Sequence, residues 1–343
     1  MGREIFIHCG LHKTGTTALQ NVFFLNAREL FQQGFLYPKA FIPPKLTGHH
    51  NLAWELSRDR RYRIGNGNTN LLSQKMAEHR SEIILSSEDF EGSLLHPERW
   101  TDLKVASEQA GRTLVFVVYL RDQLEYFESL YGELLWAGCG DEFSTIASRI
   151  IESRKICFKE WEFCFDFSSI GCALQQIDGA RVIFRDYNAM REACTIKDFS
   201  SVVGIDCGKI NLNVAANKAN GRKSLDFLMK LFIRNRLGAI NQEIANLIEE
   251  LCHGVDGLIR APTYIKKMFL DHEDFRRDRL KFQLCSPKSH AYQHSTLNAE
   301  RVFSFRTQLA VLELLEHREH AHTRSVLMQM WRNWISETGM QNT

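Results

Sequence analysis

The chain lacks the features that would tie it to a disulfide scaffold, a membrane or a nucleic acid. Its nine cysteines are odd in number and scattered, and none falls in a Cys-x-x-Cys pair. This argues against a disulfide framework and for reduced thiols in a cytoplasmic protein. No stretch approaches the roughly 18 apolar residues of a membrane span; the best candidate, Thr113 to Leu120, is far too short. The N-terminus leads into an apolar strand with no signal-peptide core behind basic residues, so no leader is expected. A net charge of +2 sets up no global field towards nucleic acid or membrane, and any positive site must be local. There is no internal repeat and no low-complexity tract. Only six prolines are present, three of them at 38, 43 and 44. They mark residues 37–81, with the turn signal Gly-Asn-Gly-Asn at 65–68, as an irregular segment of loops and short helices over one mouth of the fold.

What is present suits a soluble globular protein: 343 residues, 44% hydrophobic and 24% charged. Four apolar runs without alternation, Ile5 to His8, Ile83 to Leu85, Leu114 to Leu120 and Val182 to Phe184, read as parallel strands covered on both faces. Helical patterns separate them, including Thr17 to Gln33, stopped at Gly34, and Asp122 to Trp136, stopped near Gly138. The alternation predicts a P-loop-type doubly wound parallel α/β sheet flanked by helices. In such sheets ligands bind at the carboxyl ends of the strands. From about Ser224 the pattern turns helical. Ile240, Ile244, Leu247, Ile248 and Leu251 form one stripe, and Val326, Leu327, Met330, Trp331, Trp334 and Ile335 another, both read as core. The expectation is one α/β domain over 1–343, with a nucleotide-binding core at 1–223, an acceptor-side segment at 37–81, and a helical C-terminal extension at 224–343.

The most informative stretch runs from Ile5 to Gln20. A strand is followed by a glycine-bounded loop with one lysine, then by paired threonines opening a helix. Loop amides and the positive end of the helix dipole form an anion cradle, and the lysine adds a mobile charge. Gly10 and Gly15 have Walker A spacing, but residue 16 is threonine and the lysine, Lys13, precedes Gly15. A second element follows at Val115 to Glu133. A strand ends at Arg121, Asp122 and Glu125 have capping-box spacing, and Ser129 lies about two turns into the helix. Arginine offers a planar fork to phosphate oxygens and serine one further donor.

Lys13, Thr14, Gly15, Thr16 and Thr17 resemble, residue by residue, the 5′-phosphosulfate loop of sulfotransferases that use 3′-phosphoadenosine 5′-phosphosulfate (PAPS). Arg121 and Ser129 resemble the 3′-phosphate element of the same family. Ala180 to Tyr187, followed by Asp198 to Gly204, is similar to its later strand and helix. The resemblance implies PAPS as donor, PAP as product and no required metal. It implies transfer to an acceptor hydroxyl, with a saccharide or glycolipid as the favoured class; the near-neutral charge and short apolar runs separately argue against nucleic acid or a membrane span as partner.

Sulfuryl transfer needs a proton acceptor, charge stabilisation and in-line geometry. Lys13 is placed to stabilise the bridging oxygen. Glu88, ending the strand before that of Arg121, is the first candidate base; a carboxylate capping the next helix is the plain alternative. His50 is the rival base, although a histidine pair in a loop is often simply exposed. His12, beside Lys13, is a third possibility or a phosphate contact. Lys218, Arg222 and Lys223 resemble the family's late basic loop, with an ordinary solvated loop as the plain reading. His317, His320 and His322 lack a metal-site motif and read as an exposed helix end. Two other readings stay open. One is a P-loop kinase or NTPase, for which Val115 to Asp122 faintly imitates a Walker B strand. The other is a non-catalytic nucleotide-binding protein.

Overall fold

The computed structural model describes residues 3–190, 194–212, 225–238, 245, 246, 249, 261 and 263–285. The two C-terminal stripes, Lys218, Arg222, Lys223 and the histidines at 317, 320 and 322 lie outside these residues.

The continuous apolar runs become a five-stranded, wholly parallel sheet. Its strands are β1 (Arg3–Gly10), β2 (Phe35–Leu36), β3 (Glu82–Ser86), β4 (Arg112–Leu120) and β7 (Arg181–Asp186), in the order β2-β3-β1-β4-β7. Pairing is in parallel register, with Ile7 opposite both Leu85 and Phe116. Because side chains alternate across a strand, each run supplies two cores. On one face Phe6, Ile84, Val115, Val117 and Tyr119 meet Leu19, Val22 and Phe23 of the helix Thr16–Leu25 and Phe199 of the helix Thr195–Val203. Ile5, Ile7, Ile83, Leu85, Phe116 and Val118 are equally buried, and Trp100 packs edge-on to Phe116 at 4.8 Å. The helix Thr101–Gln109 lies against β4 and the helix Thr69–Glu78. The chain therefore leaves β1 towards β3 on one side and returns to β4 on the other. That reversal is a topological switch point, where such sheets open a crevice for ligand.

The structure departs from the sequence reading in several places. The expected helix Thr17 to Gln33 is two helices, Thr16–Leu25 and Ala27–Gln32. Asn26 breaks it: its Nδ2 donates to Val22 O (2.8 Å) and to Asn211 O (3.1 Å), while its Oδ1 accepts from Asn211 N (2.7 Å). An asparagine side chain that bonds to backbone competes with the helix ladder. The expected capping box at Asp122 is half made. Asp122 Oδ1 accepts from Leu124 N (3.0 Å) and Glu125 N (3.3 Å), but Glu125 turns to Arg121 (3.6 Å). A hairpin of β5 (Lys155–Phe158) and β6 (Trp161–Cys164) has no counterpart in that reading. Its turn holds Lys159 at φ 53°, so the usual Asn-Gly signal is missing. Residues 37–81 hold the short helices His50–Ser57 and Thr69–Glu78 with one 3₁₀ turn, Ile64–Asn66.

The chain divides into two compact units. The first holds the sheet and takes in residues 3–126, the described part of 149–219, and 269–285. The second takes in 127–148 and the described part of 220–268, and its described elements are helical. Within it Phe143 packs on Phe127 (4.3 Å) and Tyr131 (5.0 Å). Asn235 Nδ2 donates to Leu135 O (2.7 Å) and Cys139 O (2.9 Å). Ser129 is half-buried in this unit, on the helix Gln123–Trp136. Among the described residues no helix is long and apolar enough to cross a membrane.

Candidate functional site

Four parallel strands end at one edge of the sheet, and each hands over to a residue of chemical interest. β1 leads into Leu11 to Gly15, β3 into Ser87 to Glu91, β4 into Arg121, and β7 into Tyr187.

The β1 loop is held in a strained shape. Lys13 has φ 68° and Gly15 φ 78°, the left-handed region that costs a non-glycine residue energy. Lys13, Gly15 and Thr17 are exposed, whereas Thr14 and Thr16 are buried. Thr14 Oγ1 donates to Leu11 O (2.6 Å) and lies 3.4 Å from Thr16 Oγ1. These two hydroxyls therefore brace the loop from within, while Lys13 and Thr17 face outward at the helix start. Gly15 is needed for its backbone rather than its size: φ 78° disfavours a side chain, whereas a Cβ there would make only ordinary contact with the Tyr187 ring (3.5 Å) and Thr195 Oγ1 (3.4 Å). At Gly10 a Cβ would lie 2.5 Å from Thr16 Oγ1 and 2.6 Å from Thr14 Oγ1. Gly10→Ala is thus expected to overpack the loop and destabilise the protein by about 1–3 kcal/mol, read by chemical denaturation. An unchanged midpoint would mean that the threonine hydroxyls do not crowd this position.

Arg121 reaches the same loop. Its NH1 donates to Lys13 O at 3.0 Å, its guanidinium carbon stands 5.5 Å from the Tyr187 ring centroid, and Glu125 balances it at 3.6 Å. Lys13, Thr17, Arg121 and Tyr187 are thereby drawn to one place from three strand ends. Tyr187 was not singled out from the sequence; its position directly after an apolar strand was the available signal.

Beside the loop lies a cluster of ionisable groups, His50 and Glu91 buried and His12, Glu88 and Asp89 half-buried. Glu88 and His50, set against each other as rival bases, are neighbours in it. Glu88 opens the 3₁₀ turn Glu88–Phe90 and accepts from Gln20 Nε2 at 2.8 Å. His50 begins the helix His50–Ser57 and is 7% exposed, so it is not a solvated loop histidine. Its Nδ1 lies 3.2 Å from Asp89 Oδ2 and 2.9 Å from Ser87 Oγ. A carboxylate can only accept, so the proton belongs on Nδ1. Nε2 has no hydrogen-bond partner among the described residues and is not sealed from solvent. Burial opposes charge on the ring, but the bond to Asp89 and the attraction of Glu88 outweigh it and raise the His50 pKa.

His49 behaves differently. Its Nδ1 accepts from Ser86 N (3.0 Å) and its Nε2 donates to Pro38 O (2.9 Å). Burial, the larger effect, lowers its pKa to about 3, so it is a neutral structural link. His8, on β1, is likewise held neutral by burial, with its pKa lowered to about 3.

Asp89 and Glu91, which sequence reasoning did not single out, sit at the centre of this cluster. Asp89 Oδ2 accepts from Trp54 Nε1 (2.7 Å) and Oδ1 from Trp161 Nε1 (3.2 Å). Arg61, at 3.6 Å from Asp89 Oδ1, lies between the two indoles, 4.7 and 5.0 Å from their rings. Burial alone would raise the Asp89 pKa, yet His12 and His50 hold it well below the usual carboxylate range. Glu91, 2% exposed, accepts from His12 N (3.1 Å), His12 Nδ1 (2.9 Å), Tyr126 Oη (2.9 Å) and Cys164 N (2.9 Å). His12 is therefore turned towards carboxylates. Asp122, the would-be Walker B residue, is fully buried; it caps its helix and pairs with Arg279 at 3.5 Å.

No protein-family model and no curated protein sequence matches the chain. Among solved structures it is similar to the crystal structure of a sulfotransferase from Alicyclobacillus acidocaldarius, at 14% identity and a TM-score of 0.36, covering 78% of this chain and all of that one. A likeness this distant carries no functional argument.

Proposed function

We propose that this protein transfers the sulfuryl group of PAPS to an acceptor hydroxyl, with a saccharide or glycolipid as the acceptor class. One observation carries the reading: the Arg121 guanidinium is anchored on the carbonyl of Lys13 at 3.0 Å. That bond joins the two elements whose resemblance to phosphate-binding motifs was independent in sequence. Backbone amides at the helix start, Lys13 and Thr17 would hold the 5′ end, and Arg121 the 3′-phosphate. Ser129 is assigned to the 3′-phosphate on its spacing alone.

His50 is assigned as the base ahead of Glu88. It has an orienting carboxylate on Nδ1 and a ring nitrogen left for a proton, the arrangement that general base catalysis needs. The acceptor oxygen forms its bond to sulfur as its proton passes to His50 Nε2. The bond from sulfur to the bridging oxygen breaks on the far side, and the negative charge developing there is stabilised by Lys13 and the loop amides. Glu88, tied to Gln20, adds negative potential to His50. The kinase reading is disfavoured by Asp122, whose oxygens are engaged by its own helix and Arg279.

Calorimetry tests the assignment. PAP is expected to bind in the micromolar range and ATP much more weakly, because ATP has no 3′-phosphate for Arg121. Arg121→Ala should weaken PAP binding by about 2–4 kcal/mol, the loss of a charge-assisted fork. Ser129→Ala should cost about 1 kcal/mol, one hydrogen bond. Equal or tighter binding of ATP sinks the reading.

A further inference from the structure

We infer that His12 is a fixed imidazolium that sets the basicity of His50 through the carboxylate the two rings share. The donor loop and the proton acceptor are then electrostatically one device. The inference rests on the reading of His50 as the base.

The geometry starts with Glu91. One of its oxygens, Oε2, faces both the backbone N–H and the ring Nδ1 of His12, at 3.1 and 2.9 Å. The other ring nitrogen, Nε2, faces Asp89 Oδ1 at 3.6 Å. With a carboxylate on each side, both nitrogens of His12 carry protons. The ring is closed over by Phe163, edge to face at 4.9 Å. Burial opposes this charge, but the hydrogen bonds and attraction of Asp89 and Glu91 exceed it and raise the His12 pKa to about 10.

Asp89 is therefore not a private partner of His50. It serves His12, Arg61 and the Trp161 indole on one oxygen, and the Trp54 indole and His50 on the other. Around His50 the strand-end turn contributes Ser87, Glu88 and Asp89, its own helix the Trp54 ring, and the donor loop His12. Glu88 and Asp89 favour the proton on His50, and His12 opposes it. Asp89 and Glu88 together push the His50 pKa up, away from neutral basicity. The His12 cation counters this by drawing on the same carboxylate.

The sign follows directly. Removing the positive charge of His12 must raise the proton affinity of His50, so the acid limb of the rate profile moves to higher pH. The His12→Asn variant suits the test, since its amide can still donate to Glu91 from the place of Nδ1 while the charge and Nε2 are lost. In the full-length protein carrying ¹³Cε1-labelled histidine, the His50 midpoint should rise by about one pH unit in His12→Asn, the scale of one nearby charge. The acid limb of sulfuryl transfer should rise with it. In the wild-type protein the His12 resonance should stay imidazolium-like up to about pH 8 while His50 titrates. A His12 resonance that titrates near the ordinary histidine value overturns the inference, whether or not the variant folds. So does a His50 midpoint that stays put or falls in His12→Asn. If the midpoint rises but no acceptor is sulfated by wild-type protein, the coupling stands and the proposed function falls.

Discussion

His50→Asn is expected to lower turnover by about 10²- to 10⁴-fold, the range for loss of a general base, while PAP binding stays close to wild type. Asparagine can still donate from its amide to Asp89, which His50 Nδ1 meets at 3.2 Å, so the turn around Asp89 keeps its partner. What disappears is the ring nitrogen that takes the proton. Glu88→Gln is the matched control. It preserves the contact with Gln20 at 2.8 Å and removes a negative charge that favours the protonated form of His50. Its acid limb should therefore move to lower pH, with turnover reduced by no more than about tenfold. Steady-state rates across pH for both variants decide between them. If Glu88→Gln abolishes turnover and His50→Asn keeps it, the base is Glu88, the order that strand-end placement alone suggested.

Lys13→Ala should reduce turnover by roughly two to three orders of magnitude, as when one preorganised charge stabiliser is lost. PAP affinity should fall less, because PAP lacks the sulfonate at which charge develops. The variant is informative because the substitution leaves the backbone in place. The carbonyl of residue 13, which receives Arg121 NH1, is kept, so a selective loss in kcat cannot be blamed on release of the arginine. Single-turnover rates alongside PAP titrations separate the two quantities. Near-normal turnover would remove Lys13 from the chemistry.

The parallel strands were readable because strands buried on both faces must be apolar without alternation, as Ile5 to Ile7 and Leu114 to Leu120 are. The loop between β1 and the helix at Thr16 was readable as a turn because a strand, two glycines and a helix start punctuate the chain locally. The cluster of His12, His50, Asp89 and Glu91 was not, for a geometric reason. Ser87-Glu88-Asp89-Phe90-Glu91 offers three carboxylates within five residues, and nothing local says which faces what. The 3₁₀ turn decides it: Glu88 goes to Gln20, Asp89 to both indoles and Glu91 to the donor loop. Trp161 comes from a hairpin lacking the expected turn residues, and its hydrogen bond to Asp89 spans 72 residues. Histidine burial was equally hidden. His49 and His50 are adjacent in sequence, yet one is a neutral brace and the other faces Asp89.

Glu91 carries a consequence for how the protein comes into being. Its carboxylate gathers donors at residue 12, at Tyr126 and at Cys164, sites drawn from nearly half the chain. A nascent polypeptide emerging from the ribosome carries the loop's sequence almost at once. Two of its brackets, the Tyr126 hydroxyl and the Cys164 amide, do not yet exist. Contacts this distant in sequence form late, since the entropy of closing long loops must be met first. The strained backbone at Lys13 should therefore settle only after the hairpin has folded back. Chains halted before residue 164 should bind PAP poorly even when their first strands have already paired.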